Sequence, residues 1–194
     1  MDNKNIDNKK LIKVLAQAKK NWLELKIPST ILSKSLHYRK VQSDFKEKGA
    51  IFSKIDWIII EDSYCQLFGN VTFLYNPFKC VISLYNEEKF IPVRKYLPII
   101  NQGGILVGSF ISSVEKEFLE RVWETPAKII LINQTPLLEG QLPSPHFLKR
   151  CQEGNLLIMV PYPAKEILDC EISITQYHLY RNFLNNFALK ISKS

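Results

Sequence analysis

The sequence is poor in the residues that carry metal and covalent chemistry. Its four cysteines (65, 80, 151 and 170) have no CxxC spacing, and its three histidines share no metal-ligand spacing. We therefore expect neither a metal centre nor a disulfide framework. Cys80 and Cys151 lie in or beside apolar runs and are predicted to be buried thiols. No Ser-His-Asp order, HExxH motif or P-loop occurs, so the motifs indicate no catalytic residue and no cofactor.

Long apolar runs are also missing. None approaches the ~18 residues that a membrane-spanning helix needs. The first ten residues, MDNKNIDNKK, lack the apolar core of a signal peptide, so a cytoplasmic location without a membrane partner is expected. The 194 residues are 46% apolar and 23% charged, which is typical of a globular protein with a real core.

Positive charge is concentrated in the first quarter of the chain. Residues 1–50 hold 12 Lys/Arg against five Asp/Glu, whereas residues 51–194 hold 14 of each, so the net charge of +7 belongs to residues 1–50. Such asymmetry is typical of a segment that binds a polyanion, and equally of a solvated Lys-rich helix. If the segment binds nucleic acid, the expected contacts are Lys9, Lys13, Lys19, Lys20, Arg39 and Lys40.

The same segment has helical spacing. Leu11, Leu15, Ala18, Trp22 and Leu25 recur at steps of three and four, which predicts one apolar stripe of an amphipathic helix. A second helix is predicted from Pro28 to about Lys48, with Gly49 at its end. Residues 1–50 are therefore predicted to form a basic helical hairpin, packed on the main domain through residues that include Leu11, Leu15, Trp22 and Leu36.

Residues 51–194 are predicted to form a second unit in which strands alternate with helices. Short runs rich in β-branched and aromatic residues predict strands at 55–61, 70–75, 79–85, 105–110, 128–133 and 155–162. Helices are predicted at 88–102, where Pro98 should kink or shorten the helix, at 113–124 and at 146–152. A last helix is predicted to be capped by Ser173 and to end near Ile191. The fold class predicted is α/β, with a Rossmann-like, mainly parallel sheet and helices on both faces.

The turn GSFISS (108–113) is the strongest local candidate for a ligand site. It leads from a predicted strand into a helix, whose N-terminal amides favour an anion. Gly108, Ser109, Ser112 and Ser113 would then bind a phosphate or another ligand group. The alternative is that Ser112 only caps the helix and Glu115 reciprocates as a capping box.

Four segments resemble one family in their order along the chain. GGILVGSF, KIILIN, LPSPHFLKRCQEGNLLIMVPYP and YRNFLNNFALKIS resemble the DNA-processing protein A (DprA/Smf) family of SLOG-type Rossmann-like domains, over roughly residues 79–191. The resemblance implies that Arg181 and Asn182 contact phosphate or nucleic acid. It also implies that Lys89 stands in for an arginine in the family's first turn, where this chain reads Asn-Glu-Glu-Lys.

The functional expectation is a nucleotide- or nucleic-acid-binding protein without catalysis, acting in DNA processing. One alternative is a nucleoside-phosphate-processing enzyme of the LOG-like phosphoribohydrolase kind, in which Glu115 would be the retained acid. Another is a degenerate domain kept as a protein-interaction scaffold. Expected partners are a nucleotide or single-stranded nucleic acid, and self-association into a homo-oligomer stays open.

Overall fold

The computed structural model describes residues 2–25, 50–60, 63–82, 92–163, 167, 169 and 171–193. The strands are Ala50–Ile60 (β1), Ser63–Asn70 (β2), Lys79–Val81 (β3), Ile105–Gly108 (β4), Lys128–Ile132 (β5) and Leu156–Pro161 (β6). The α-helices are Asp2–Glu24 (α1), Leu97–Asn101 (α2), Ser113–Trp123 (α3), Pro145–Gln152 (α4) and Ile174–Lys193 (α5). None of these helices is long and apolar enough to cross a bilayer.

The sheet is mainly parallel, as the alternation of strands and helices predicts. Its six strands lie in the order β1-β2-β6-β5-β4-β3. The strands β3, β4, β5 and β6 pair in parallel, and the antiparallel β1–β2 hairpin adds to the outer side of β6. As predicted, β4 lies inside the sheet, between β3 and β5. The parallel strands follow one another without a reversal of order, so no topological switch point among them marks a ligand site.

Helices cover both faces of the sheet. Successive residues of a strand point to opposite faces, so an apolar strand contributes to a core on each side. Ile105 and Val107 pack in one core, which includes residues of α1 and α5. Leu106, between them in sequence, packs in the other core, which includes residues of α3 and α4. The apolar runs predicted as strands are therefore buried on both sides, which stabilises the α/β sandwich by removing apolar surface from water.

The amphipathic stripe of α1 is buried as expected. Leu15, Ala18 and Trp22 are 3%, 0% and 1% exposed, and the Trp22 indole Nε1 donates a hydrogen bond to the Tyr180 hydroxyl at 3.0 Å. The first helix therefore packs on the sheet through the predicted residues. The second helix of the expected hairpin, with Leu36, lies outside the described residues.

One prediction of local structure is wrong, and one predicted helix is shortened, as expected from Pro98. Residues Val71–Tyr75 form a 3-10 helix rather than a strand, and the second strand is Ser63–Asn70. The Asn70 side chain accepts a hydrogen bond from the Thr72 amide, and the buried residues of the 3-10 helix supply the apolar pattern that predicts a strand. In the predicted helix 88–102, the described part holds only a 3-10 turn at Val93–Lys95 and the short α2. Proline lacks the amide N–H that a continuous helix needs, and Pro98 falls in the first turn of α2.

Candidate functional site

The turn between β4 and α3 is closed by a capping box. The Ser112 hydroxyl accepts a hydrogen bond from the Glu115 amide at 3.2 Å. The Glu115 carboxylate accepts hydrogen bonds from the amides of Ser112, at 2.9 Å, and Ile111, at 3.0 Å. The predicted capping box is therefore confirmed. Two amides that could have bound an anion already bind an internal carboxylate.

Arg181 on α5 holds the Glu115 side chain in place. This side chain is fully buried, and its carboxylate lies 3.4 Å from the Arg181 guanidinium, which is itself 8% exposed. Arg181, expected from the family resemblance to contact phosphate or nucleic acid, thus supports the turn from inside the protein. Such a buried pair constrains the geometry of the turn because each charge would be costly without a partner.

A second contact joins α5 to the turn. The Ser109 hydroxyl, buried at 5% exposure, donates a hydrogen bond to the Asn185 side-chain oxygen at 2.8 Å. Asn182, chosen from the family resemblance, is exposed on α5. The contact is made instead by Asn185, almost one helical turn further along. Ser113 is exposed at the start of α3.

The remaining candidates are basic residues. Lys9, Lys13 and Lys20 are exposed on α1, and Lys19 is partly buried there. Lys89, Arg39 and Lys40 lie outside the described residues.

Phe110 gives the turn its shape. Its φ is +46°, in the left-handed region, which costs a bulky residue roughly 1–2 kcal/mol. The side chain is nevertheless buried, at 4% exposure. A Cβ added at Gly108 would lie 3.1 Å from the Phe110 ring and 3.1 Å from the Ile82 carbonyl oxygen. Gly108 therefore makes room for the Phe110 ring.

A cavity of about 610 Å³ opens at the carboxyl ends of β4 and β5. Its lining comes from the turn at 109–111, one side of α3, residues 133–134 after β5, and the start of α4 at 146–147. Cavities of this size and position hold small ligands in many α/β proteins. Residues 109–111 of the turn therefore form part of the cavity wall.

Three aromatic residues are part of the cavity wall. Phe110, Trp123 and Phe147 all line it. The Trp123 ring is set by its neighbours: the His146 ring meets it edge-on at 5.1 Å, and the Arg150 guanidinium lies 5.1 Å from its centroid. Phe147 is tilted against the same indole at 5.8 Å. These contacts hold the indole in one orientation, which favours planar ligands that bind by ring contact.

The rim of the cavity carries charges of both signs. Lys116, Glu120 and Glu124 line it and are exposed. Their spacing of four residues places them on one side of α3. Asn133 and Gln134 add polar atoms at the end of β5. The charged lining residues of α3 and its C-cap therefore carry one positive and two negative charges.

Hydrogen bonds connect the cavity to α1. Trp22 donates to the Tyr180 hydroxyl, which donates to the Gln134 carbonyl oxygen at 2.5 Å. The Asn21 amide donates to the Pro136 carbonyl oxygen at 3.2 Å. The end of the basic helix is therefore fixed to the loop that follows β5, next to one wall of the cavity.

The thiols that the structure describes are unsuited to nucleophilic chemistry. Burial raises the pKa of Cys151 to about 12 and also raises the pKa values of Cys65 and Cys80. Cys151 is buried as predicted, and Cys80 is partly buried. A thiol with a raised pKa stays protonated at neutral pH, and the thiolate is the reactive form. Within the described ranges, no group of three or more His, Cys, Asp or Glu residues could hold a metal ion.

Several residues of the cavity are not identified by the sequence patterns. They are Phe110, Trp123, Asn133, Gln134, His146 and Phe147. One signal was present: Asn133 and Gln134 follow a buried parallel strand, next to the strand that ends in the GSFISS turn. Carboxyl ends of adjacent parallel strands lie at one edge of a sheet, so polar residues there belong to the same region.

The two serines of the turn should respond differently to mutation. Ser112→Ala is expected to lower the free energy of unfolding by about 1 kcal/mol because the helix cap is lost. Ligand affinity should not change, since Ser112 does not line the cavity. Ser109 does line it, so Ser109→Ala should weaken binding. Thermal unfolding and ligand titration of both variants check this, and weaker binding in Ser112→Ala without lost stability would contradict it.

The resemblance to the DprA family stays a prediction. Compared with protein-family models, with curated proteins and with solved structures, the chain has no match.

Proposed function

We propose that the protein binds a nucleotide-type ligand without catalysis and that the base of the ligand enters the cavity beside α3. The observation that carries the proposal is the aromatic wall of Phe110, Trp123 and Phe147 around a cavity of about 610 Å³. Nucleobases bind aromatic side chains by stacking, which contributes about 1–3 kcal/mol per base. The polar side chains of Asn133 and Gln134 offer donors and acceptors for a base edge.

The position of Glu115 favours binding over hydrolysis. An enzyme of the phosphoribohydrolase kind would need this acid to face its substrate. Glu115 is instead fully buried, accepts two backbone hydrogen bonds and is not part of the cavity lining. Its carboxylate therefore serves the helix cap. The resemblance to the DprA family adds the expectation of a role in DNA processing in the cytoplasm, which is part of this proposal.

The proposal is tested by calorimetric titration with the four common ribonucleosides and their 5′-monophosphates. We expect at least one of them to bind and to be recovered chemically unchanged. Absence of binding by all of them would contradict the proposal and favour the interaction scaffold. Hydrolysis that disappears in Glu115→Gln would favour the enzyme.

Single-stranded nucleic acid is a second candidate ligand, favoured by the surface of α1. Lys9, Lys13 and Lys20 are exposed, and steps of four and seven residues put them on one helix face. Leu15, Ala18 and Trp22 form the opposite, buried face. A strand whose phosphates follow these lysines could place one base in the neighbouring cavity.

This candidate makes a prediction about salt. Replacing Lys9, Lys13 and Lys20 by glutamine should weaken binding of a labelled oligonucleotide and reduce the slope of log affinity against log salt by about 2, at ~0.7 per phosphate contact. Removing residues 1–50 is a poorer test because Trp22 and Leu15 belong to the core. A matched control replaces the exposed Lys95, Lys128 and Lys193. An equal effect of both triple variants would show non-specific attraction only.

A further inference from the structure

We infer that the cavity takes the uncharged ring of its ligand and rejects the phosphate, so that a nucleoside binds better than its own monophosphate. This inference rests on the proposed function and specifies the class of ligand. It differs from the expectation that the GSFISS turn is an anion site. Three independent features of the described residues support it.

The first feature is the state of the turn's amides. In a phosphate site at a helix N-terminus, backbone N–H groups point at the anion. Here the amides of Ile111 and Ser112 donate to the Glu115 carboxylate at 3.0 and 2.9 Å. A phosphate that used these two amides would have to displace a buried carboxylate that also lies 3.4 Å from Arg181. The negative charge of the carboxylate also offsets the partial positive charge of the helix N-terminus, which would otherwise attract an anionic ligand.

The second feature is the backbone at the entrance to the helix. Phosphate-binding turns use glycines so that the backbone can approach the anion closely. Gly108 is covered by the Phe110 ring, at 3.1 Å from where its Cβ would be. Phe110 itself is fixed in the left-handed region with φ of +46°. The turn therefore presents a phenyl ring to the cavity where a phosphate site would present amides.

The third feature is the charge of the rim. The lining residues Lys116 and Glu120 of α3, with the C-cap residue Glu124, sum to one negative charge. A phosphate dianion is repelled by this sum, whereas an uncharged ring is not. Repulsion of this size at a solvated rim should weaken the binding of a monophosphate by about fivefold relative to its nucleoside. The difference should shrink at high salt because the charges are solvent-exposed.

The test compares each ribonucleoside with its 5′-monophosphate by titration calorimetry, at low and high salt, on three proteins. These are the wild type, the double variant Glu120→Gln/Glu124→Gln, and the control Glu117→Gln. Glu117 lies on the same helix and is 50% exposed, but it pairs with Arg121 and does not line the cavity. Only the double variant should lose the preference for the nucleoside.

Each outcome decides a different point. Tighter binding of the nucleoside in the wild type, with the preference lost only in the double variant, supports the inference. Tighter binding of the monophosphate overturns it and leaves the proposed function intact. If no nucleoside and no nucleotide binds, the proposed function fails and the inference fails with it. An equal effect of Glu117→Gln would show a general charge effect and also overturn the inference.

Discussion

Trp123→Ala should reduce the affinity for a nucleobase ligand by about 5- to 150-fold, since stacking of one base contributes about 1–3 kcal/mol. Trp123 lines the cavity and is held by His146, Phe147 and Arg150. Removing the Trp123 indole therefore removes part of the cavity wall and the ring contact that orients Phe147. Calorimetry with the tightest-binding nucleoside measures the effect directly.

A matched aromatic residue on the other face controls for lost stability. Phe183 is partly buried, like Trp123, but packs against the core on the side of α1 and α5. Phe183→Ala should destabilise the protein without changing ligand affinity. If both variants lose affinity to the same extent, the effect is general loosening of the fold, and the cavity is not the site.

Glu115→Ala should lower the free energy of unfolding by about 3–5 kcal/mol, the range seen when one partner of a buried ion pair is removed. The carboxylate accepts hydrogen bonds from two amides of the turn and lies beside Arg181. The replacement removes the negative charge beside the buried Arg181 guanidinium. It also removes the Glu115 side chain from the capping box. Chemical denaturation at neutral pH measures the change.

The paired replacement separates the ion pair from simple packing. Glu115→Leu combined with Arg181→Met removes both charges and keeps much of the volume. We expect this double variant to be more stable than the sum of the two single replacements implies, because the partners are coupled. Additive losses would show that the two side chains act independently. The account of the turn as a buried, charge-paired cap would then be wrong.

Local sequence patterns predicted the parts of the fold that depend on neighbours along the chain. The apolar runs of β4, β5 and β6 predicted a parallel sheet, because strands of such a sheet are buried on both faces. Ser112 and Glu115 predicted a helix cap because the capping box is completed within four residues. Such features are fixed by spacing alone, so a single sequence is enough to find them.

The site itself depends on contacts between distant segments. Trp123 meets His146 and Phe147 only because α3 and α4 pack on the same face of the sheet. Spacing along the sequence could not identify the hydrogen-bond partner of Ser109, because Asn185 lies in the last helix, α5. The strand prediction for residues 71–75 was wrong for a related reason. Burial selects the same apolar residues whether the backbone is a strand or a 3-10 helix.

The three tryptophans of the chain allow the most direct test of where a ligand binds. Trp123 lines the cavity, Trp22 joins α1 to Tyr180, and Trp57 is buried in β1. Their indole N–H resonances can be followed by NMR during titration with a nucleoside, with Trp123 assigned by its absence in Trp123→Phe. The account predicts a saturable shift of the Trp123 resonance that exceeds those of Trp22 and Trp57. A larger shift at Trp22 or Trp57, or no shift at Trp123 while calorimetry records binding, would contradict it.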